Sequence, residues 1–271
     1  MLARPLYNPG MISLSLEERV ALVSGGSRGI GAATVRMFSM AGARVAFNYQ
    51  RAKKEAEQVA QACGGEARCS AIQQELSSPE QAGKLVEAAV SRFGRLDILV
   101  ANHGIWPPED APIDKMSAEQ WRQTMAVNLD SVFGLVKHSV AQMKKQKRER
   151  GRAAGHIVLI SSTAGQRGEA LHCDYAASKG ALISMVKGLS TELAPHGIYV
   201  NCVAPGWVST DMAAPALEHP EISKRVFATI PLGRAGTPEE IAAPVLFLCT
   251  EHAGFITGEI LNVNGGAVLA G

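Results

Sequence analysis

The sequence lacks long apolar runs, paired cysteines and any excess of charge. None of its apolar runs reaches the roughly 18 residues that a membrane-spanning helix requires, so we expect neither a membrane span nor a membrane partner. The cysteines are odd in number and show no CxxC spacing, which argues against a disulfide framework and against a metal site. We interpret them as reduced thiols of a cytoplasmic protein. The five cysteines are Cys63, Cys69, Cys173, Cys202 and Cys249.

The charge balance is close to neutral, with 27 Lys and Arg against 25 Asp and Glu and a net charge of +2. That balance is too small to indicate a nucleic-acid partner. The segment 144–152 is an exception, because six of its nine residues are basic. Without interleaved aromatic residues it is typical of a solvated helix end and loop, and a nucleic-acid or membrane patch is the alternative interpretation.

The first ten residues contain one arginine, two prolines and no apolar segment, so they do not have the pattern of a secretory signal. We expect residues 1–10 to form a loose N-terminal extension. The 271 residues are 46% hydrophobic, which suits a single domain over 1–271 with one core. No repeat, low-complexity segment or linker separates a second domain.

Short apolar runs alternate with helical patterns along the whole chain. Runs of this kind are typical of buried parallel strands, which need helices on both faces of their sheet. The alternation therefore predicts an α/β fold with a doubly wound parallel sheet of seven strands. The predicted strands are 20–24, 43–49, 67–73, 96–101, 155–162, 197–203 and 259–263. The predicted helices are one that ends at 41 and those at 53–62, 79–93, 117–147, 175–194, 213–229 and 238–250.

A glycine-rich turn follows the first predicted strand and opens a helix. Strand, glycine turn and helix form the context of a dinucleotide-binding (Rossmann-type) loop. Glycines let the backbone approach a pyrophosphate, and the helix N-terminus supplies free N–H groups and the positive end of a dipole. An ordinary strand-to-helix turn is the alternative. The candidate phosphate-binding residues are Gly25, Ser27, Arg28, Gly29, Ile30 and Gly31.

The end of the second predicted strand indicates which dinucleotide is bound. An acid near this point binds the adenosine ribose of NAD in dinucleotide folds. Here the tip of the strand reads Asn48-Tyr49-Gln50-Arg51, and no acid appears before Glu55. Arg28 and Arg51 are instead placed to meet a 2′-phosphate, because a guanidinium bonds two oxygens at once. We therefore favour NADP(H) over NAD(H), the alternative being that both arginines are solvated surface charges.

Tyr175 and Lys179 lie four residues apart at the start of a predicted helix. This spacing puts both side chains on one helical face. The ammonium favours the phenolate, so we expect the pKa of Tyr175 to fall below its usual value of about 10. A phenol adjusted in this way exchanges a proton with a substrate oxygen. The pair alone is weak support, since many surface helices carry it by chance.

Other polar residues also follow predicted strands, at Asn102, Ser162 and Pro205-Gly206. The carboxyl ends of parallel strands meet at one edge of a sheet, where ligands bind at the switch point of strand order. Serines, a tyrosine and a lysine beside a nicotinamide would suit hydride transfer to or from a carbonyl. Asn128 lies inside a predicted helix, where asparagine is unfavourable, so it serves either a backbone or water network or the surface.

These motifs occur in an order that resembles the short-chain dehydrogenase/reductase family over residues 14–268. The resemblance implies that Tyr175 is the acid/base, that Lys179 lowers its pKa and binds the nicotinamide ribose, and that Asn128 holds a water of the proton relay. The family places its serine thirteen residues before the tyrosine, which selects Ser162 over Ser161. The motifs are 24–31, 101–104, Asn128, Ser162, Tyr175 with Lys179, and 205–210.

Further cofactor contacts are implied by the same resemblance. Asn102 and Gly104 would lie near the adenosine-side ribose. Val208 and Thr210 would meet the nicotinamide carboxamide or the pyrophosphate, after the Pro205-Gly206 turn. The pair Glu75-Leu76 stands where an Asp and a small apolar residue often contact adenine, so that contact is less certain.

Two other positions depart from the family pattern. Ser24 replaces the usual threonine and keeps its hydroxyl. His103 is unusual within 101–104, and we interpret it as a packed structural histidine rather than a catalytic one. Substrate specificity is expected in the loops 106–112, 166–173 and 207–227.

Within the family, the whole pattern is most similar to 3-oxoacyl-[acyl-carrier-protein] reductases. Arg167 and the basic segment 144–152 would be slight attractions for an acidic carrier protein. A sugar, polyol or other secondary-alcohol dehydrogenase is the alternative substrate class, and a non-catalytic NADP-binding sensor is the alternative function class. Family members commonly pair two helices across a two-fold axis, so the resemblance also implies a homo-oligomer, a dimer or a tetramer.

Overall fold

The computed structural model describes residues 13–147 and 152–269. The proposed loose extension at 1–10 and the centre of the basic segment lie outside these residues. The strands form a single seven-stranded sheet in the order β3-β2-β1-β4-β5-β6-β7, and each pair of neighbours is parallel. The strands are β1 (Val20–Val23), β2 (Arg44–Tyr49), β3 (Cys69–Gln73), β4 (Ile98–Ala101), β5 (Gly155–Ile160), β6 (Ile198–Pro205) and β7 (Ile260–Val263).

Helices cover both faces of the sheet, as the alternation predicts. Helices α1, α2 and α10 pack on one face, and α3, α5 and α7 pack on the other. The helices are α1 (Gly29–Met40), α2 (Lys53–Ala62), α3 (Pro79–Phe93), α4 (Ala118–Met125), α5 (Ser131–Lys145), α6 (Thr163–Arg167), α7 (Cys173–Leu193), α8 (Ala214–Leu217), α9 (Pro220–Ala228) and α10 (Pro238–Leu248).

The apolar runs of the strands divide between two cores. In β4, Ile98 and Val100 lie in the core beneath α1 and α10, whereas Leu99 and Ala101 lie in the core beneath α3, α5 and α7. All four are nearly inaccessible to solvent. Because successive side chains of a strand point to opposite faces, a continuous apolar run is what a sheet covered on both sides requires.

The prediction of a single long helix over 117–147 is wrong in one respect. A π-helical turn, Ala126–Asp130, separates α4 from α5 and contains Asn128. A π turn adds a residue to the helical repeat and commonly occurs at functional sites. Here it directs the Asn128 side chain inward, where it bonds backbone and side-chain groups described below.

Two shorter corrections concern the loops. The five-residue helix α6 follows β5 where no helix is predicted, and the Oγ of Ser162 caps it by accepting from the N–H of Ala164 at 3.1 Å. The helix predicted over 213–229 is two helices, because Pro220 disfavours helical geometry at His219 and begins α9.

Candidate active site

The candidate site lies at the carboxyl ends of β1, β4, β5 and β6. The chain moves outward from β1 through β2 to β3 and then returns to place β4 on the other side of β1. This reversal of strand order creates a crevice between the loops that follow β1 and β4. The loops after β5 and β6 complete the same edge.

The glycine loop after β1 has the form that a bound pyrophosphate needs. Gly25 and Gly29 have φ values of 68° and 55°, a left-handed conformation that disfavours other residues. A Cβ at Gly31 would collide with the carbonyl of Gly25. Helix α1 begins at Gly29 with no side-chain cap and no acidic residue in its first turn. Its N-terminus therefore offers uncapped N–H groups and a dipole to an anion, and the residues present fit a dinucleotide.

Asn48 holds the glycine loop in place rather than projecting toward solvent. Its Oδ1 accepts from the N–H of Gly25 at 2.8 Å, and its Nδ2 donates to the carbonyl of Gln74 at 2.8 Å. Its own carbonyl accepts from the N–H of Gly26 at 3.0 Å. The polar groups of Asn48 are thus committed to the backbone of the loop and of the segment after β3.

Asn102 fixes the same loop from the other side. Its Nδ2 donates to the carbonyls of Ser24 and Gly25 at 3.0 and 3.3 Å, and its N–H donates to the Oγ of Ser24 at 3.0 Å. Gly104 packs against Asn128 and Lys179, because a Cβ there would be 3.1 Å from the Oδ1 of Asn128 and 3.3 Å from the Nζ of Lys179.

The two arginines predicted to meet a 2′-phosphate are both on the surface. The guanidinium of Arg28 lies 3.3 Å from the Oδ2 of Asp211, and both side chains are well exposed. Arg51 is exposed in the turn that follows β2. Glu75 is exposed as well, whereas the side chain of Leu76 is buried in the core and leaves only its backbone for a ligand.

The segment after β6 turns toward the glycine loop. The N–H of Gly206 donates to the carbonyl of Val263 at 3.1 Å, and Pro205 ends β6. Val208 is buried. Thr210 lies beside the start of α1, since its Cγ2 would be 3.2 Å from a Cβ at Gly29.

Ser161 and Ser162 are adjacent in sequence but point in different directions. The Oγ of Ser161 is buried and donates to the carbonyl of Lys179 at 2.8 Å. Ser162 instead caps α6, and its hydroxyl lies near enough to the phenol of Tyr175 to oppose the rise in its pKa. The structure therefore brings Ser162 to Tyr175, and it uses Ser161 to attach β5 to α7.

Tyr175 and Lys179 share one face of α7, as their spacing predicts. The Nζ of Lys179 lies 5.9 Å from the centroid of the Tyr175 ring and donates to the carbonyl of Ile160 at 2.9 Å. Burial lowers the pKa of Lys179 to about 8, because the ammonium loses solvent, and the nearby Cys202 offsets this only in part.

The pKa of Tyr175 shifts opposite to the sequence expectation. Burial raises the pKa of this phenol to about 12, although the hydrogen bond from Ser162 opposes the change. The expected fall below the usual value is therefore wrong, because desolvation of the phenolate has the largest effect and the charge of Glu169 acts in the same direction. At neutral pH the Tyr175 hydroxyl is protonated.

Asn128 uses its whole side-chain amide inside the protein. Its Oδ1 accepts from the N–H of Ile105 at 2.8 Å, and its Nδ2 donates to the carbonyl of Ile105 at 2.9 Å and to the Oγ of Ser178 at 3.1 Å. The amide thus joins the π-helical turn to the loop after β4 and to α7. Ser178 was not singled out from the sequence, because only the fold brings it to Asn128.

His103 lies between two hydroxyl groups. Its Nδ1 is 2.7 Å from the Oγ of Ser24, and its Nε2 is 2.6 Å from the Oγ of Ser131. Ser131 gives its own proton to the carbonyl of Val127, so Nε2 donates to Ser131, and the neutral ring accepts from Ser24 at Nδ1. Burial lowers the pKa of His103 to about 3, with the nearby Lys179 acting in the same direction. This is the geometry of a structural histidine.

Aromatic and acidic side chains from the three loops expected to set specificity lie against one another. The indole of Trp106 donates to the Oε1 of Glu169 at 3.2 Å and stacks on the ring of His172, with centroids 4.7 Å apart. Trp207 contacts the same indole edge-on at 6.4 Å. Sequence reasoning placed these residues in specificity loops but gave no sign that they touch.

A dinucleotide-binding sheet with a tyrosine, a serine and a lysine at its switch point is the arrangement of an oxidoreductase. A family model described as "Enoyl-(Acyl carrier protein) reductase" matches residues 25–268. The chain belongs to the short-chain dehydrogenase/reductase family, as its motifs predict. It is therefore an oxidoreductase that uses a nicotinamide dinucleotide, NAD or NADP, on a small-molecule substrate.

Individual relatives agree with this assignment. The chain is 39% identical to the 3-oxoacyl-[acyl-carrier-protein] reductase FabG of Aquifex aeolicus, over 94% of this chain and 99% of that protein. A short-chain dehydrogenase/reductase from Brucella melitensis is 34% identical, with a TM-score of 0.86 over 95% of this chain and 100% of that one. A short-chain dehydrogenase from Burkholderia cenocepacia in complex with NADP is 32% identical, with a TM-score of 0.83 over 93% of this chain and 98% of that one.

In the described parts of the chain, none of the helices combines the length and the apolar character that crossing a membrane would demand.

Proposed function

We propose that the protein interconverts a ketone and a secondary alcohol with NADP(H), and that Tyr175 is its acid/base. The observation that supports this most directly is that the hydroxyls of Tyr175 and Ser162 lie near each other at the carboxyl edge of the sheet, with the Lys179 ammonium 5.9 Å from the ring centroid. Both hydroxyls are available to one substrate oxygen, next to the loop that fits a dinucleotide.

In this proposal the bound cofactor supplies the hydride for ketone reduction and accepts it in the reverse direction. Ser162 donates a hydrogen bond to the ketone oxygen and orients it. Tyr175, which is protonated at neutral pH because its pKa is raised, delivers the proton that the developing alkoxide requires. The arrangement supplies orientation and electrostatic stabilisation, which are the protein's share of such chemistry.

Lys179 and Asn128 act around this proton transfer. The Lys179 ammonium would bind the nicotinamide ribose and stabilise the phenolate that remains after the transfer. Asn128 holds the π-helical turn against the loop after β4, and a water bound there would connect the site to solvent. Neither role requires Asn128 to leave its contacts with Ile105 and Ser178.

The cofactor would lie along the edge from the glycine loop to α7. Its phosphates would meet the α1 N-terminus, its nicotinamide end would reach Lys179, and Thr210 would close over the pyrophosphate. Asn48, Glu75 and Leu76 would contribute through the backbone they fix or carry. The other proposed contacts are Gly25, Ser27, Arg28, Gly29, Ile30, Gly31, Arg51, Asn102, Gly104, Tyr175, Pro205, Gly206 and Val208.

The preference for NADP(H) is supported by charge at the adenosine end. Asn48 replaces the usual acid, and Arg28 and Arg51 are both accessible nearby. A related structure binds NADP. Fluorescence titration of the protein with NADPH and NADH tests the preference, and equal dissociation constants would contradict it.

The first substrate class to examine is a 3-oxoacyl thioester, because the Aquifex aeolicus relative is named as a 3-oxoacyl-[acyl-carrier-protein] reductase. The family description names an enoyl reductase, which reduces a carbon–carbon double bond. Two hydroxyls that converge on one point suit an oxygen that gains a proton, so they favour the carbonyl reaction. A hydroxylated ketone or polyol is the second candidate, and it is favoured by the carboxylate of Glu169 described below.

The decisive experiment follows NADPH absorbance with acyl thioesters, sugars and simple ketones. Tyr175→Phe is expected to lower kcat by at least about a hundredfold while the Kd for NADPH changes little, because the phenol ring remains and the proton donor is lost. Retained activity in Tyr175→Phe would overturn the acid/base assignment. Tight NADPH binding with no turnover of any carbonyl would instead support a non-catalytic sensor.

We also propose that the protein is a cytoplasmic, single-domain homo-oligomer, a dimer or a tetramer. Phe133 on α5 and Trp121 on α4 are large apolar side chains exposed on the described surface, which is consistent with a covered face in an oligomer. Light scattering of the purified protein tests the assembly, and a monomer at micromolar concentration would exclude it.

A further inference from the structure

Two of the loops beside Tyr175 are fastened to each other. The N–H of Ala111 donates to the carbonyl of Leu171 at 3.0 Å, and the Nε2 of His172 donates to the carbonyl of Pro107 at 2.9 Å. The loop after β4 and the loop before α7 therefore form one wall of the site. A wall held by a backbone bond and a side-chain-to-backbone bond presents its side chains in fixed positions, which specificity requires.

Glu169 is the acidic side chain of this wall. One of its oxygens, Oε1, accepts from the Trp106 indole and lies 4.0 Å from the Nδ1 of His172. Within residues 13–147 and 152–269, the structure gives the other oxygen, Oε2, no hydrogen-bond donor. The side chain is 25% exposed, so it is neither buried in the core nor free in solvent.

Glu169 lies on the short segment that joins α6, which Ser162 caps, to α7, which carries Tyr175. Burial raises its pKa, His172 and Trp106 oppose that change, and its charge contributes to the raised pKa of Tyr175. Glu169 thus shares the space in which a substrate held by Tyr175 and Ser162 would lie. Because Oε2 is reached by solvent, a substrate that covers it must replace that solvent with a donor, since desolvating a carboxylate oxygen without one is unfavourable.

Resting on the proposed function, we infer that Glu169 is a specificity-determining residue that accepts a hydrogen bond from a hydroxyl group carried next to the reacting carbonyl. A hydroxyketone satisfies Oε2, whereas a ketone with an alkyl group at that position leaves it desolvated. A 3-oxoacyl chain offers carbonyl and alkyl groups there, so it is the poorer match. Trp106 and His172 act as positioning residues for the carboxylate.

The inference is tested with two ketones of equal size, hydroxyacetone and butanone, which differ by a hydroxyl in place of a methyl. We expect the wild-type kcat/KM to be higher for hydroxyacetone. In Glu169→Gln the amide oxygen can still accept from Trp106, but an NH₂ group faces the substrate. The ratio of the two kcat/KM values should then fall at least about tenfold, mainly through hydroxyacetone.

A matched control is Glu192→Gln, which neutralises an exposed acid near the C-terminal end of α7, outside the specificity loops, and should leave the ratio unchanged. Trp106→Phe keeps the aromatic ring but removes the donor to Oε1, and it should lower the ratio less than Glu169→Gln does. Thermal melting and the Kd for NADPH establish that each variant is folded.

The outcomes separate the inference from the function on which it rests. Turnover of both ketones with a ratio that Glu169→Gln does not change would overturn the inference and leave the proposed function intact. So would wild-type turnover of butanone and 3-oxoacyl thioesters without turnover of hydroxyacetone. No turnover of any ketone or thioester, with NADPH binding retained, would contradict the proposed function itself.

Discussion

The guanidinium of Arg28 lies 3.3 Å from the carboxylate of Asp211, across the gap between the glycine loop and the segment after β6. Both side chains are exposed, so the pair contributes little to stability. The pair matters instead for the binding of the cofactor. A 2′-phosphate on the cofactor and the carboxylate of Asp211 would compete for the same guanidinium.

Asp211→Asn should therefore strengthen the binding of NADPH. We expect its Kd to fall about two- to fivefold, the range of an exposed ion pair, and the Kd for NADH to stay the same because NADH has no 2′-phosphate. Fluorescence titration of both cofactors measures this. Arg28→Gln is the converse variant and should weaken NADPH binding alone, whereas parallel changes for NADPH and NADH would refute a phosphate contact at Arg28.

Ser161 and Ser162 provide a matched pair of alanine variants. Ser162→Ala removes the hydroxyl that meets Tyr175, so kcat should fall about a hundredfold or more. Ser161→Ala removes the bond to the carbonyl of Lys179, so the free energy of unfolding should fall by about 1 kcal/mol while kcat changes only a few-fold. Steady-state kinetics and urea unfolding measure the two effects. Equal losses of kcat would show that the two hydroxyls are not divided in this way.

Gly134 and Gly188 lie on helices but in different surroundings. A Cβ at Gly134 would be 2.5 Å from the Cα of Pro79, so Gly134→Ala must push α5 away from α3. We expect it to lower the free energy of unfolding by about 1–3 kcal/mol. At Gly188 on α7, no heavy atom of the described residues lies within 4 Å of the added Cβ apart from its chain neighbours and the adjacent backbone of the helix itself. Gly188→Ala should therefore raise the free energy of unfolding by about 0.5–1 kcal/mol.

Urea unfolding at one protein concentration compares the two glycine variants. Light scattering of each variant shows whether the added methyl group changes the assembly. A destabilised Gly188→Ala protein with unaltered assembly would contradict the open surroundings of that position.

His103 and His156 make the protein sensitive to mild acid. Burial lowers the pKa of His103 to about 3 and that of His156 to about 4, from an ordinary value near 6.5. Between pH 6.5 and these lowered pKa values, the histidines of the unfolded chain bind protons that those of the folded protein do not. Stability therefore falls as the pH falls below about 6.5. From pH 7.5 to pH 5.5 the two histidines should together remove on the order of 2–3 kcal/mol from the free energy of unfolding.

Variants assign this acid sensitivity to its source. Between pH 7.5 and pH 5.5, the free energy of unfolding of His103→Asn should fall by about half as much as that of the wild type. This holds however much the substitution itself destabilises the protein at pH 7.5. Urea unfolding at both pH values gives the difference directly. If the wild type and His103→Asn lost the same free energy, protonation of His103 would not be coupled to unfolding.

The sequence by itself determined the features that depend on local pattern. Apolar periodicity and residues adjacent along the chain predict seven strands in succession along the chain, the helices on both faces of the sheet and the glycine turn. The common face of Tyr175 and Lys179 follows from a spacing of four on a helix. Each of these inferences needs only the geometry of one element or of its immediate neighbours.

Tertiary structure decided the features that depend on contacts between distant residues. The π-helical turn at Asn128 depends on bonds to Ile105 and Ser178, which no helical pattern contains. The direction of the pKa shift of Tyr175 depends on how much solvent the folded protein removes around it. The contact of Trp106 with Glu169 joins residues 63 apart in sequence, and only the packing of the two loops brings that carboxylate to the substrate.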